Sequence, residues 1–251
     1  MAVEIQSDSI DKKEGVNMDL MTQVDQLSTM LTQSKHTVAL TGAGISTPIG
    51  IPDLSQLPES VAEMLGDERE LIRDPKKFYG ILHRLFLDPI TKSGPTLSHR
   101  VLAALERAGK LDGIVTTNVD YLHELAGSRT VADVWGSFNT NYCLRCGRTY
   151  SISALTSQAI PTCPKDGGFL ATEPLHGGPS ESVPALRLAL RLMQSAELVI
   201  IVGSTGFYSD LNETAKVVQI NPSSTIFDDR SDLNIRAKSD DVFAQLAGQT
   251  A

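Results

Sequence analysis

Residues 37–53 read Thr-Val-Ala-Leu-Thr-Gly-Ala-Gly-Ile-Ser-Thr-Pro-Ile-Gly-Ile-Pro-Asp, and they constrain the fold more than any other stretch. The apolar, β-prone run Thr37 to Leu40 leads straight into the turn Gly42-Ala43-Gly44. That order is what a dinucleotide-binding strand and its phosphate loop require. Glycine lets the backbone turn sharply and approach a pyrophosphate, and a helix start behind it offers free N–H groups. A bare Gly-x-Gly also occurs in many tight turns, so the rest of the chain must carry the reading further.

At 251 residues the chain can bury a core as one or two domains. A net charge of −8 argues against a general nucleic-acid or membrane-surface binder. No segment approaches the roughly 18 uninterrupted apolar residues of a membrane span. The N-terminus, with Glu4, Asp8 and Asp11, lacks the basic-then-apolar pattern of a leader. A cytoplasmic protein without nucleic-acid or membrane partners is the expectation.

Residues 1–18 are polar and read as a flexible N-terminus. From Asp19 to Gln33 apolar residues recur at Leu20, Val24, Leu27 and Leu31, a helical stripe that feeds strand 37–41. Ser55 to Arg73 has weak helical character, Phe78–Phe86 and Leu97–Ala108 read as helices, and Leu111–Thr116 as a second strand. Val183–Ser195 reads as a helix, and Leu198–Val202 and Val217–Ile220 as strands. Such alternation predicts an α/β fold, a Rossmann-like doubly wound parallel sheet. It would be built from residues 19–134 and 181–251. Residues 135–180 differ in texture, rich in cysteine, glycine and proline with little periodicity, and read as a small inserted module.

Within that module Cys143-x-x-Cys146 is followed by Cys163-Pro-Lys-Asp166, the spacing of a zinc ribbon whose fourth ligand has become aspartate. A structural Zn²⁺ would hold a loop-rich segment that lacks a core of its own. A decayed site held by packing is the alternative.

Five ordered motifs resemble those of the sirtuin family, over roughly residues 20–247. Thr41-Gly42-Ala43-Gly44-Ile45-Ser46 is similar to its phosphate loop, and Gly50-Ile51-Pro52-Asp53 to the start of its cofactor loop. Thr117-Asn118-Val119-Asp120-Tyr121-Leu122-His123 resembles its QNID-x-LH segment, Val202-Gly203-Ser204 its second glycine motif, and Ile220-Asn221-Pro222 its ribose-binding strand end. The resemblance implies an NAD-consuming protein deacylase acting on a modified protein lysine. Gly42, Ala43 and Gly44 would cradle the pyrophosphate, with Gly203 and Ser204 near the phosphates and Asn221 on the adenosine ribose. Asp53 and Thr117 would belong to the cofactor site. Asn118 would contact the nicotinamide ribose, and Asp120, with the backbone near Ile51, would hold the carboxamide. Asn118 and Asp120 are thus the candidate catalytic residues. Both types also favour helix N-caps, so a purely structural role stays open for the pair.

Several residues that carry the family's chemistry are absent. Its His-Gly pair, whose histidine deprotonates a ribose hydroxyl, reads Trp135-Gly136 here. Indole has an N–H donor but no basic lone pair, so Trp135 cannot be a general base. The family's Phe-Arg after GIPD is Leu54-Ser55, its glutamine is Thr117, and its Phe-Gly-Glu loop is unrecognisable in 174–179. Of the histidines, His83, His99 and His123 read as structural, and His176 is the one whose loop could approach the cleft. Three functions remain: an NAD-consuming enzyme transferring ADP-ribose or deacylating weakly, an inactive sensor of NAD or an ADP-ribose derivative, and a deacylase with a base from elsewhere.

Overall fold

The computed structural model describes residues 19–176, 183–206, 208 and 210–249. The N-terminal expectation for 1–18 and part of the divergent 174–179 loop lie outside them.

In chain order the first elements are α1 (Leu20–Gln33), β1 (Thr37–Thr41), α2 (Glu59–Gly66), α3 (Glu68–Arg73), α4 (Pro75–Leu82), α5 (Asp88–Ser93), α6 (Leu97–Arg107), β2 (Gly113–Thr116), α7 (Leu122–Leu125) and β3 (Val131–Asp133). They are followed by β4 (Asn141–Cys143), β5 (Thr149–Tyr150), α8 (Ile152–Thr156), β6 (Leu170–Thr172), α9 (Glu173–His176), α10 (Val183–Ser195), β7 (Leu198–Val202), β8 (Lys216–Ile220), β9 (Leu233–Ile235) and α11 (Ser239–Gln249). A π turn over His83–Leu87 joins α4 to α5.

The larger sheet has the order β3-β2-β1-β7-β8-β9, and every pairing in it is parallel. All five residues of β1 and of β7 are buried, which is why both read as unbroken apolar runs rather than alternating ones. Strand alternation sends Ala39, Ile200 and Val202 into a core shared with Leu27 of α1, Leu102 of α6 and Phe243 of α11. It sends Val38, Leu40, Val199 and Ile201 to the opposite face, against Ala189, Leu192 and Met193 of α10. Helices therefore cover both faces. Strand order reverses about β1, whose neighbours are β2 and β7. That is the position at which sheets of this type bind ligands beyond their strand ends.

The second sheet is antiparallel, in the order β5-β4-β6. Cys143, Leu170 and Ala171 of this sheet, with Cys163 from the loop before β6, share a third core with Phe78, Tyr79, Leu82 and Phe86. Tyr79 ties the two together, donating from Oη to the Leu170 carbonyl at 2.9 Å.

Candidate functional site

A cavity of about 300 Å³ opens at the carboxyl ends of β1, β2 and β7. It brings together Ala43, Ile51, Asp53, Thr117, Asn118, Asp120 and Gly203 from the sequence reading. Ser46, Phe86, Val119 and Trp135 complete the walls that matter below. Gly42, Gly44, Ser204 and Asn221 are not in this lining and lie behind it.

The glycine turns at the ends of β1 and β7 are packed backbone to backbone. A Cβ on Gly42 would sit 2.8 Å from the Ser204 Cα, and one on Gly44 2.7 Å from the Gly203 Cα. Gly203 has φ of 61°, and its Cβ would meet the Gly44 carbonyl carbon at 2.6 Å. Mutual approach of the two loops thus requires these glycines before any ligand is considered. The expected helix start is different too. Two 3₁₀ turns, Ala43–Ile45 and Thr47–Ile49, follow Gly42. The Gly42 N–H donates to the Val202 carbonyl at 3.1 Å and the Gly44 N–H to that of Gly203 at 2.9 Å. These two amides hold the loops together, which leaves Ala43 as the cavity-facing member of the three. Ser204 is buried and its Oγ has no hydrogen-bond partner. Asn221 donates from Nδ2 to the Ser204 carbonyl at 3.3 Å and accepts from the Ser223 N–H at 3.1 Å.

The loop after β2 carries the polar centre. Asn118 donates from Nδ2 to the Gly42 carbonyl at 3.1 Å and to Ser46 Oγ at 3.3 Å. Ser46 Oγ in turn donates to Asp120 Oδ2 at 2.6 Å. Asp120 Oδ1 accepts from the Leu122 N–H at 3.0 Å, so this carboxylate also serves the start of α7. Asn118 makes its side-chain bonds to the glycine loop instead of to α7. Burial pushes the Asp120 carboxyl up to about 6, although the Ser46 and Leu122 bonds favour its ionised form. Tyr121, between Asp120 and α7, is the one non-glycine residue with positive φ among those described, at 63°. Burial also raises the neighbouring carboxyls Glu124 and Asp133, and the charge on Glu124 pushes Asp133 up further.

Trp135 follows β3, lines the cavity and is 41% exposed. No imidazole lines this cavity among the described residues. His176 is not at the cleft. Its ring lies 5.2 Å from that of Phe78, and its Nδ1 accepts from the Thr172 N–H at 3.3 Å. His99 and His123 are fully buried, with ring centroids 4.6 Å apart. His123 Nε2 shares a hydrogen bond of 2.8 Å with Thr41 Oγ1, and His99 Nδ1 one of 2.7 Å with Thr96 Oγ1. Burial lowers His99 to about 3 and His123 well below its ordinary value, so both are neutral. His83 pairs with Asp88 at 3.3 Å and lies 3.3 Å from the Gln158 carbonyl.

In the smaller module, the donor atoms of Cys143, Cys146, Cys163 and Asp166 all lie within 4.8 Å of one another. Cys146 Sγ and Cys163 Sγ are 3.8 Å apart, close to the ~3.8 Å edge of a tetrahedron with Zn–S bonds near 2.3 Å. Asp166 Oδ1 accepts from the Gly168 N–H at 3.0 Å, which holds its carboxyl well below the usual range. Tyr150 Oη lies 2.9 Å from Cys163 Sγ.

The chain belongs to the Sir2 family, whose model matches residues 42–208. Among individual proteins it is similar to NAD-dependent protein deacetylase 1 of Pyrobaculum aerophilum, with 31% identity over 89% of this chain and 93% of that one. The NAD-dependent protein deacetylase of Thermotoga maritima is 32% identical over 80% of this chain and 87% of its own. A solved structure of Sir2 with a p53 peptide and NAD+ superimposes with a TM-score of 0.73, at 29% identity, covering 90% of this chain and 98% of that one. A Sir2 bound to an acetylated peptide does so at 0.72, with the same identity and coverage. No helix among the described residues is long and apolar enough to cross a membrane.

Sequence reasoning missed Phe86 as a cavity residue, because its helix carries no motif. Ser46 and Val119 lie inside the ordered motifs, which assign a role to neither. The geometry makes Ser46 the bridge between Asn118 and Asp120.

Proposed function

We propose that this chain binds NAD across the ends of β1, β2 and β7 and consumes it, releasing nicotinamide, with protein-lysine deacylation weak. The observation that carries this reading is the cavity itself. It joins Asn118, Ser46 and Asp120 in one hydrogen-bonded centre beside Ala43, with Trp135 on its wall, which in this reading takes the place of the family's histidine.

Three features suit a dinucleotide. The glycine turns bring two loops together at the strand ends, the Ser204 hydroxyl is buried without a partner, and Ala43 lines the cavity. In this reading Gly42, Ala43, Gly44, Gly203 and Ser204 serve the pyrophosphate, and Asn221 the adenosine ribose. Asn118 orients the nicotinamide ribose, while Asp120 and the Ile51 backbone hold the carboxamide. Asp53 and Thr117 border the same space. Breaking the glycosidic bond depends on such orientation more than on an imidazole. Collapse of an acylated intermediate does need a base, and loss of one typically costs on the order of 10²–10⁴-fold. Trp135 therefore separates the two steps.

Cys143, Cys146, Cys163 and Asp166 are proposed as ligands of a structural Zn²⁺, far from any chemical role. Residues 135–180 are its module, and 19–134 with 181–251 form the nucleotide-binding domain.

Mass spectrometry of the protein incubated with NAD, with and without acetyl- and longer acyl-lysine peptides, tests this. Nicotinamide release without peptide is expected. Release strictly dependent on an acyl peptide makes the protein a deacylase. Binding with no release makes it a sensor of NAD or an ADP-ribose derivative.

A further inference from the structure

Asp120 is the one deeply buried titratable side chain that lines the cavity; Asp53, the other carboxylate there, is half-buried. Asp120 is only 3% exposed and is fixed from two sides, by Ser46 Oγ at 2.6 Å and by the Leu122 N–H at 3.0 Å. Ile51, Phe86, Val119 and Trp135 supply apolar wall around the same space. A carboxylate fixed in direction and stripped of bulk water is a stronger base than one in solvent.

We propose that Asp120 is the general base that delivers water to the ribose, so that free ADP-ribose is the product. This rests on the NAD-consuming reading. As the bond from the ribose C1′ to nicotinamide breaks, its electron pair moves onto the ring nitrogen and nicotinamide leaves neutral. Water forms the new C1′–O bond and gives its proton to the Asp120 carboxylate, which passes it to solvent. The balance is NAD⁺ plus water to ADP-ribose, nicotinamide and one H⁺. Because Asp120 holds the carboxamide in that reading, water enters from the face that nicotinamide vacates, and configuration at C1′ is retained.

The groups that set the acidic limb are all near at hand. Burial raises Asp120 to about 6, the Ser46 and Leu122 bonds lower it, and Glu124 raises it further, with Asp133 beside Glu124. Replacing Ser46 by alanine removes one stabiliser of the ionised form and moves the limb to higher pH.

The experiment is methanolysis. The protein is incubated with NAD in aqueous methanol, and the anomeric configuration of methyl ADP-ribose is read by NMR. The β-methyl product is expected, together with an acidic limb shifted upward in Ser46→Ala. Asp120→Asn should lose at least ~100-fold in ADP-ribose formation. An α-methyl product, or a limb unmoved in Ser46→Ala, overturns the role of Asp120 while NAD consumption stands. Absence of nicotinamide release in every sample overturns both readings.

Discussion

In the proposed reading, Trp135 decides which chemistry the cleft retains. Introducing histidine there restores a basic nitrogen, and Trp135→His should raise peptide-dependent acyl transfer to ADP-ribose at least tenfold, as seen by mass spectrometry. An unchanged rate would place the lesion also in the divergent substrate loop. The buried histidines matter differently. His99 titrates at 6.5 in the unfolded chain and at about 3 in the folded one. Between those values the unfolded state binds the extra proton, so its contribution to stability is lost as pH falls, by about 1.4 kcal/mol per pH unit. Asp120 has the opposite sign, since the folded state holds its proton between 3.8 and about 6, and that contribution is lost as pH rises. Denaturant titrations should therefore show a shallower acid-side slope for His99→Phe than for the parent chain.

The paired glycine loops are the most demanding local structure. Gly203→Ala would force an L-residue into φ of 61° and drive its Cβ into Gly44, with the αL term alone costing about 1–2 kcal/mol. The variant should lose NAD binding and melt several degrees lower in a thermal scan. Their legibility in the sequence has the same origin: only glycine tolerates that approach, so the requirement leaves a visible string. The apolar runs of β1 and β7 were legible because burial on both faces demands continuous hydrophobicity. Short edge strands leave no such trace. Val131–Asp133 and Leu233–Ile235 are three residues each and were missed, as were α11 and the three-stranded sheet of the smaller module. Phe86 lies in the π turn at His83–Leu87 and lines the cavity, where no motif marks it. His176, the one histidine whose loop could approach the cleft, instead packs on Phe78 and accepts from the Thr172 N–H.

Across the whole molecule, two sheets are joined through a helical layer, and the cleft lies where strand order reverses. Cys143 and Cys163 of the smaller module pack in the core that also contains Phe86, so in the proposed reading a metal at the Cys₃Asp cluster supports the same core that walls the cavity. Metal analysis should find about one Zn²⁺ per chain. A strong chelator should then expose the amides of β4–β6 to hydrogen exchange while those of β1 and β7 stay protected. Uniform loss of protection would instead make the two sheets one cooperative unit. The central claim is that NAD lodges in the cavity walled by Trp135, the sole tryptophan of the chain. Its intrinsic fluorescence during an NAD titration, with calorimetry on the same sample, is the most direct test. Saturable quenching at one NAD per chain, abolished in Gly203→Ala, is the predicted result. Calorimetric binding that leaves the Trp135 emission unchanged, or no binding at all, would contradict the account.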